Sequence, residues 1–100
     1  MGYNIYMRDP NKNKEELLKA IILASKDKAT LEAFMENLLT PKERRALPKR
    51  WEIVRRLYKG EKQWDLADDL KIGIGTITRG ARELKNPNGG FRKILKMMYK

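Results

Sequence analysis

Between Leu66 and Gly80 the chain reads Leu66-Ala67-Asp68-Asp69-Leu70-Lys71-Ile72-Gly73-Ile74-Gly75-Thr76-Ile77-Thr78-Arg79-Gly80. Leu66 and Leu70 stand one helical turn apart, Ala67 is small enough to let two helices approach, and Ile72 and Ile77 are spaced to fill the angle between them. This spacing predicts two short helices meeting at a tight turn, a helix-turn-helix, whose second helix enters a DNA groove. Gly73, Ile74, Gly75 and Thr76 would open that second helix with small side chains, leaving room for base edges.

The charge distribution agrees. The net charge is +10; residues 1–39 carry six Lys/Arg against six Asp/Glu, and residues 40–100 carry seventeen against seven. All the excess positive charge therefore travels with the helix-turn-helix half, as phosphate neutralisation requires. The chain has no Cys and no His, and Ser25 is its only serine, which excludes thiol chemistry, a histidine base, a Ser-His triad and a Cys/His metal site. No enzyme activity and no cofactor are expected. The longest aliphatic run, Ala20 to Ala24, cannot span a bilayer, and the N-terminus lacks a signal-peptide pattern. A cytoplasmic protein with no membrane partner is expected.

Residues 1–13 are polar and rich in helix breakers, and are read as a flexible N-terminal arm; residues 14–100 are read as a single all-helical domain. Leu17, Leu18, Ile21 and Ile22 recur at helical spacing, as do Leu31, Phe34, Met35, Leu38 and Leu39 after the polar break at Ser25-Lys26-Asp27-Lys28. Thr40-Pro41-Lys42-Glu43 is a capping box with proline at the first helical position, so a third helix starts there and runs to about Lys59, where Gly60 stops it. The helix-turn-helix pair follows, at about Gln63–Lys71 and Ile74–Lys85. Asn86-Pro87-Asn88-Gly89-Gly90 then precedes a last helix carrying Phe91, Ile94, Leu95 and Met98. The expected fold is all-α with six helices. Pro48 should bend the third helix, and Lys71 stands at a turn position that favours glycine in a left-handed conformation, at about 1 kcal/mol.

On a wheel of the third helix, Ala46, Leu47, Trp51, Ile53, Val54, Leu57 and Tyr58 form one apolar arc, with Arg50 near its middle. A guanidinium there needs a partner, either a structural ion pair such as Glu43 or a ligand in a cleft. On the second motif helix Ile74, Ile77, Ala81 and Leu84 face inward, while Thr76, Arg79 and Glu83 line the other side. That stripe either meets DNA or a ligand, or is a solvated face with an Arg79–Glu83 pair. Gly80 makes room for a ligand or for close helix packing. Lys59, Lys62 and Lys85 flank the motif and as a set suit phosphate contacts.

Leu39-Thr40-Pro41-Lys42-Glu43-Arg44-Arg45-Ala46-Leu47, Lys49-Arg50-Trp51-Glu52-Ile53-Val54, Gly60-Glu61, Gly73 to Gly80 and Leu84-Lys85 together resemble the tryptophan repressor family over about residues 38–85. The flanking helices match it only in length and apolar character. The resemblance implies an interlocked homodimer reading a pseudo-palindromic double-stranded operator, with L-tryptophan as corepressor. By position it implies that Arg50 and Arg79 sandwich the indole ring, with arginine also binding the carboxylate. Leu39 and Thr40 come from the other subunit, and Gly80 gives the ligand space. The DNA-facing set is then Lys59, Lys62, Trp64, Lys71, Ile74, Gly75, Thr76, Thr78 and Lys85. The chain departs from the family at Glu83, where a serine near the ligand's amino group is common. Other departures are Pro48 in place of a glycine, and Trp64 and Asp65 near positions that are often polar and basic. The expectation is a tryptophan-activated, DNA-binding transcriptional repressor. Two readings stand beside it: a ligand-independent or differently regulated DNA binder in which Glu83 pairs with Arg79 and blocks tryptophan, and a protein-interaction or RNA-binding helical adaptor whose basic half contacts phosphates non-specifically.

Overall fold

A computed structural model describes residues 9–99 of the protein. All regular structure among them is helical: α1 Pro10–Ala24, α2 Lys28–Leu38, α3 Pro41–Tyr58, α4 Gln63–Leu70, α5 Ile74–Lys85 and α6 Gly90–Met98. The chain forms two compact units that meet in sequence between Arg44 and Arg45, within α3.

In the first unit, α1 starts four residues before the expected Lys14. Asp9 is its N-cap, the Oδ1 atom accepting from the backbone N–H groups of Asn11 (3.1 Å) and Lys12 (3.2 Å), and Pro10 follows at the first helical position. The opening turn, Pro10 to Asn13, holds no apolar residue, so hydrophobic spacing could not reveal it. The rest of the expected arm, residues 1–8, lies outside the described residues. Asp27 caps α2 in the same way, its Oδ2 accepting from the Thr30 N–H (3.1 Å) and hydroxyl (2.7 Å), and both bonds hold its carboxyl below the usual carboxylate range. The capping box at the start of α3 is reciprocal: Thr40 N donates to Glu43 Oε1 (2.9 Å), and Glu43 N donates to Thr40 Oγ1 (3.2 Å). α1 packs on α2, yet Ala24 is the only buried residue on either helix. Leu17, Leu18, Ile22, Leu23 and Leu38 remain exposed.

In the second unit two apolar clusters form around α3. Ile53, Leu66, Ala67 and Ile77 are buried together, with Leu57, Leu70, Ile72 and Ile74 packed against them; this is the predicted helix-turn-helix core. Val54, Leu84 and Leu95 make the other, covered by Trp51, Leu57, Tyr58, Phe91 and Tyr99, and it ties α6 to α3 and α5. α3 continues as a helix through the exposed Pro48. It ends at Gly60, whose φ of +100° suits glycine; Gly60 N donates to Leu57 O (3.0 Å) and Glu61 N to Arg56 O (3.2 Å), closing the terminus.

α4 closes through Lys71, at φ +56° and ψ +43° the only left-handed non-glycine residue among those described. Ile72 N then reaches back to Ala67 O (3.1 Å), which makes the turn tight enough to seat Ile72 on the core. A side chain is strained in this conformation. Lys71→Gly is therefore expected to stabilise the protein by about 1 kcal/mol, raising Tm by roughly 4–8 °C in a thermal melt followed by circular dichroism. An unchanged or lowered Tm would show that Lys71 is held there by something worth more than the strain.

Candidate functional site

A cleft of about 700 Å³ opens between α3 and α5. α3 contributes Arg50, Ile53 and Val54; α5 contributes Gly75, Thr76, Arg79, Gly80 and Glu83; Phe91 comes from the start of α6. The apolar side chains Ile53, Val54 and Phe91 suit the body of an uncharged ring, while Arg50, Arg79 and Glu83 place charge on the walls. All three charged residues are exposed, and none of their side chains makes a hydrogen bond or ion pair among the described residues. The helical wheel allowed Arg50 either a structural partner or a cleft; the structure puts it in a cleft. Arg79 and Glu83, four residues apart, form no pair among the described residues, so the charge of each remains available.

Gly80 lines the cleft and also packs against α3. A Cβ at this position would stand 3.0 Å from Ile53 Cγ2, tighter than ordinary contact, and 3.6 Å from Val54 Cγ1, an ordinary one. Its bare backbone lets α5 lie close against α3 beneath the cleft, which favours the packing reading of this glycine and also sets the depth of the site. Leu39 and Thr40, expected from resemblance to complete a pocket from another subunit, belong to the first unit. Thr40 serves there in the capping box, and the Leu39 carbonyl lies 3.5 Å from Arg44 Nη1.

The residues expected to face DNA divide by environment. Lys62, Trp64, Lys71, Gly75, Thr76 and Lys85 are exposed, Trp64 to 72 %. Lys59 is exposed but sits over the Tyr99 ring, its Nζ 4.5 Å from the centroid. Thr78 is exposed, and its hydroxyl donates to Gln63 Oε1 (3.0 Å), linking the two motif helices. Ile74 is half-buried: it packs on the helix-turn-helix core at the start of α5 and keeps part of its surface open. Gly73 caps α5 without a side-chain bond, its carbonyl accepting from the Thr76 N–H (3.1 Å).

Three features escaped sequence reasoning. Phe91 lines the cleft, which a helical period in α6 could not show. Gln63 positions Thr78 across fifteen residues. Arg56, with its side chain 18 % exposed, gathers Glu52 (3.3 Å), Glu61 (2.7 Å) and Asp69 (2.8 Å) around its guanidinium, fastening α4 to the end of α3. Its bonds with Glu61 hold that carboxyl below the ordinary range and raise the arginine further. The spacing of Glu52 at i−4 was a legible signal for part of this cluster; the tertiary contact with Asp69 was not.

Residues 13–99 match the family described as Trp repressor protein. The chain belongs to the Trp repressor family. Its match spans α1, α2 and α6 as well as the motif helices, so the likeness is broader than the quoted motifs suggested. The Trp operon repressor homolog of Vibrio parahaemolyticus is 34% identical over 91 residues, covering 90% of this chain and 88% of the relative. The homolog of Photobacterium profundum is 36% identical over 86 residues, covering 85% and 80%. That of Vibrio vulnificus reaches 55% over 49 residues, 48% of each chain. The Trp repressor family is one of DNA-binding transcriptional regulators, not of enzymes. No helix among the described residues is long and apolar enough to cross a membrane.

Proposed function

We propose that this protein is a homodimeric, sequence-specific repressor of transcription in the cytoplasm whose affinity for a pseudo-palindromic operator is raised by L-tryptophan bound in the α3–α5 cleft. The observation that carries this reading is the pair Arg50 and Arg79, exposed on facing helices over an apolar floor, their side chains making no hydrogen bond or ion pair among the described residues. Two planar guanidiniums suit the faces of an indole ring and the carboxylate beside it. Leu39 and Thr40 of a second copy would close the site. The exposed apolar side chains of α1 and α2 support such a partner, since neither helix buries more than Ala24 by itself.

Ligand and DNA share α5. Gly75 and Thr76 line the cleft and also lie in the first turn of the reading helix, one turn before Arg79. A ring held between α3 and α5 therefore sets the tilt at which α5 meets the major groove, with Gly75, Thr76 and Thr78 toward base edges, Lys59, Lys62, Lys71 and Lys85 toward phosphates, and Trp64 on the sugar-phosphate flank. A ligand strengthens DNA binding by as much as it prefers the competent geometry, typically 1–3 kcal/mol or about 5–150-fold.

Fluorescence anisotropy with a duplex selected from a random pool, with and without L-tryptophan, tests this. A gain within that range is expected. Equal affinity in both conditions, with the duplex still bound selectively, would leave a ligand-independent repressor. Against that second reading stands the separation of Arg79 from Glu83, which form no ion pair among the described residues.

A further inference from the structure

Two kinds of contact hold the helix-turn-helix to α3. The apolar one, Ile53 with Leu66, Ala67 and Ile77, keeps the three helices together but is non-directional, so it does not by itself fix the angle of α4. The polar one is directional. Arg56 is half-buried on α3, and each nitrogen of its guanidinium has a carboxylate partner. Nε (3.0 and 2.9 Å) and Nη2 (2.7 Å) grip the carboxylate of Glu61, in the loop before α4, as a fork. Nη1 meets Glu52 Oε2 (3.3 Å), one turn back on α3, and Asp69 Oδ2 (2.8 Å), near the end of α4. The rigid plane of the guanidinium is thus held by α3 and the loop, and Asp69 is drawn to one fixed corner of it. At the other end of α4, Gln63 accepts from the Thr78 hydroxyl on α5 (3.0 Å). An angle imposed on α4 at Asp69 is therefore passed on to α5.

We propose that Arg56 is a positioning residue for DNA recognition: by holding Asp69 it sets the angle of α4, and through α4 the angle at which α5 meets base edges. This rests on the operator reading above, and adds a residue that lies outside the α3–α5 cleft. Base contacts demand register, whereas phosphate contacts are indifferent to sequence, so a misangled α5 loses selectivity before it loses affinity for DNA in general.

Asp69→Ala separates this role from that of a surface charge. The Asp69 side chain is 61 % exposed, and alanine is a good helix former, so α4 and its core are expected to persist. By charge alone, removing a carboxylate from a phosphate-binding protein tightens its grip on every duplex. The expected result has the opposite sign on the operator. In fluorescence anisotropy at fixed salt with L-tryptophan present, Asp69→Ala should bind the selected duplex at least about tenfold more weakly than the wild type, the range of one charge-assisted hydrogen bond. Binding to a scrambled duplex of the same composition should be unchanged or tighter. Arg56→Lys, which keeps the charge and loses the fork, is expected to behave alike, and the two changes together should weaken the operator no more than either alone, since both cut one link. Operator binding by Asp69→Ala as tight as the wild type or tighter, an equal loss on both duplexes, or additive losses in the double variant would overturn the assignment to Arg56; the equal loss is what a purely stabilising ion pair would give. A wild type that does not distinguish the two duplexes would overturn the operator reading itself, and this assignment with it.

Discussion

Arg79→Ala is expected to weaken L-tryptophan binding by at least about a hundredfold while leaving weak, salt-sensitive association with duplex DNA. The guanidinium is exposed on the cleft wall, so its removal takes nothing from the core formed by Ile53, Leu66, Ala67 and Ile77. What it removes is a bidentate donor for a carboxylate and a flat face for a ring, two interactions that together exceed the roughly 2.7 kcal/mol of a hundredfold change. Arg79→Lys should recover some of the charge attraction and none of the stacking, because an ammonium is a compact point charge. DNA association persists because the lysines around the motif act on phosphates independently of the ligand, with an affinity that falls steeply as salt rises. Calorimetry decides the first part, and anisotropy over a salt series the second. Undiminished tryptophan binding by Arg79→Ala would remove this arginine from the pocket.

The second large effect concerns assembly. Leu18 and Ile22 stand one turn apart on α1, 48 % and 63 % exposed, on a helix that buries only Ala24. Covering such side chains contributes roughly 1.5–3 kcal/mol each, and a two-fold interface counts every contribution twice. The double variant Leu18→Asp with Ile22→Asp reverses this by placing four carboxylates in an apolar contact, each of which must be desolvated. A monomer in sedimentation analysis, with Tm lowered by more than about 10 °C, is expected where the wild type sediments as a dimer. A variant that sediments like the wild type would place the interface elsewhere.

Both predictions begin in features visible along the chain, though not equally. Local rules settle much of the fold. Thr40-Pro41-Lys42-Glu43 forms the reciprocal capping box its pattern requires, because the partners are three residues apart. Gly60 closes α3 where the motif places it, and Lys71 adopts the left-handed conformation its turn position demands. The apolar set Leu66, Ala67, Leu70, Ile72 and Ile77 packs as spaced. The start of α1 was missed, since Asp9 and Pro10 signal it without any hydrophobic period.

The cleft is legible only in part. The helical wheel marked Arg50, and the outer stripe marked Arg79 and Glu83, because one helix's periodicity lists the side chains on each face. It does not say whether a facing helix will bury, pair or expose them. Arg50 and Arg56 show the difference: both are arginines of α3, yet one is exposed and makes no pair among the described residues while the other is ringed by three carboxylates. Asp69, from a different helix, completes that ring, and no spacing along α3 could reveal it.

By itself, then, the sequence determined the six helices, the capping box and glycine stop of α3, and the helix-turn-helix, since each depends on interactions within a few residues. The tertiary structure alone decided that Gly80 serves helix packing, that Phe91 joins the cleft, and that Arg50, Arg79 and Glu83 are left open on its walls. Those outcomes depend on which surfaces of α3, α5 and α6 meet, and at what distance, which local periodicity does not encode.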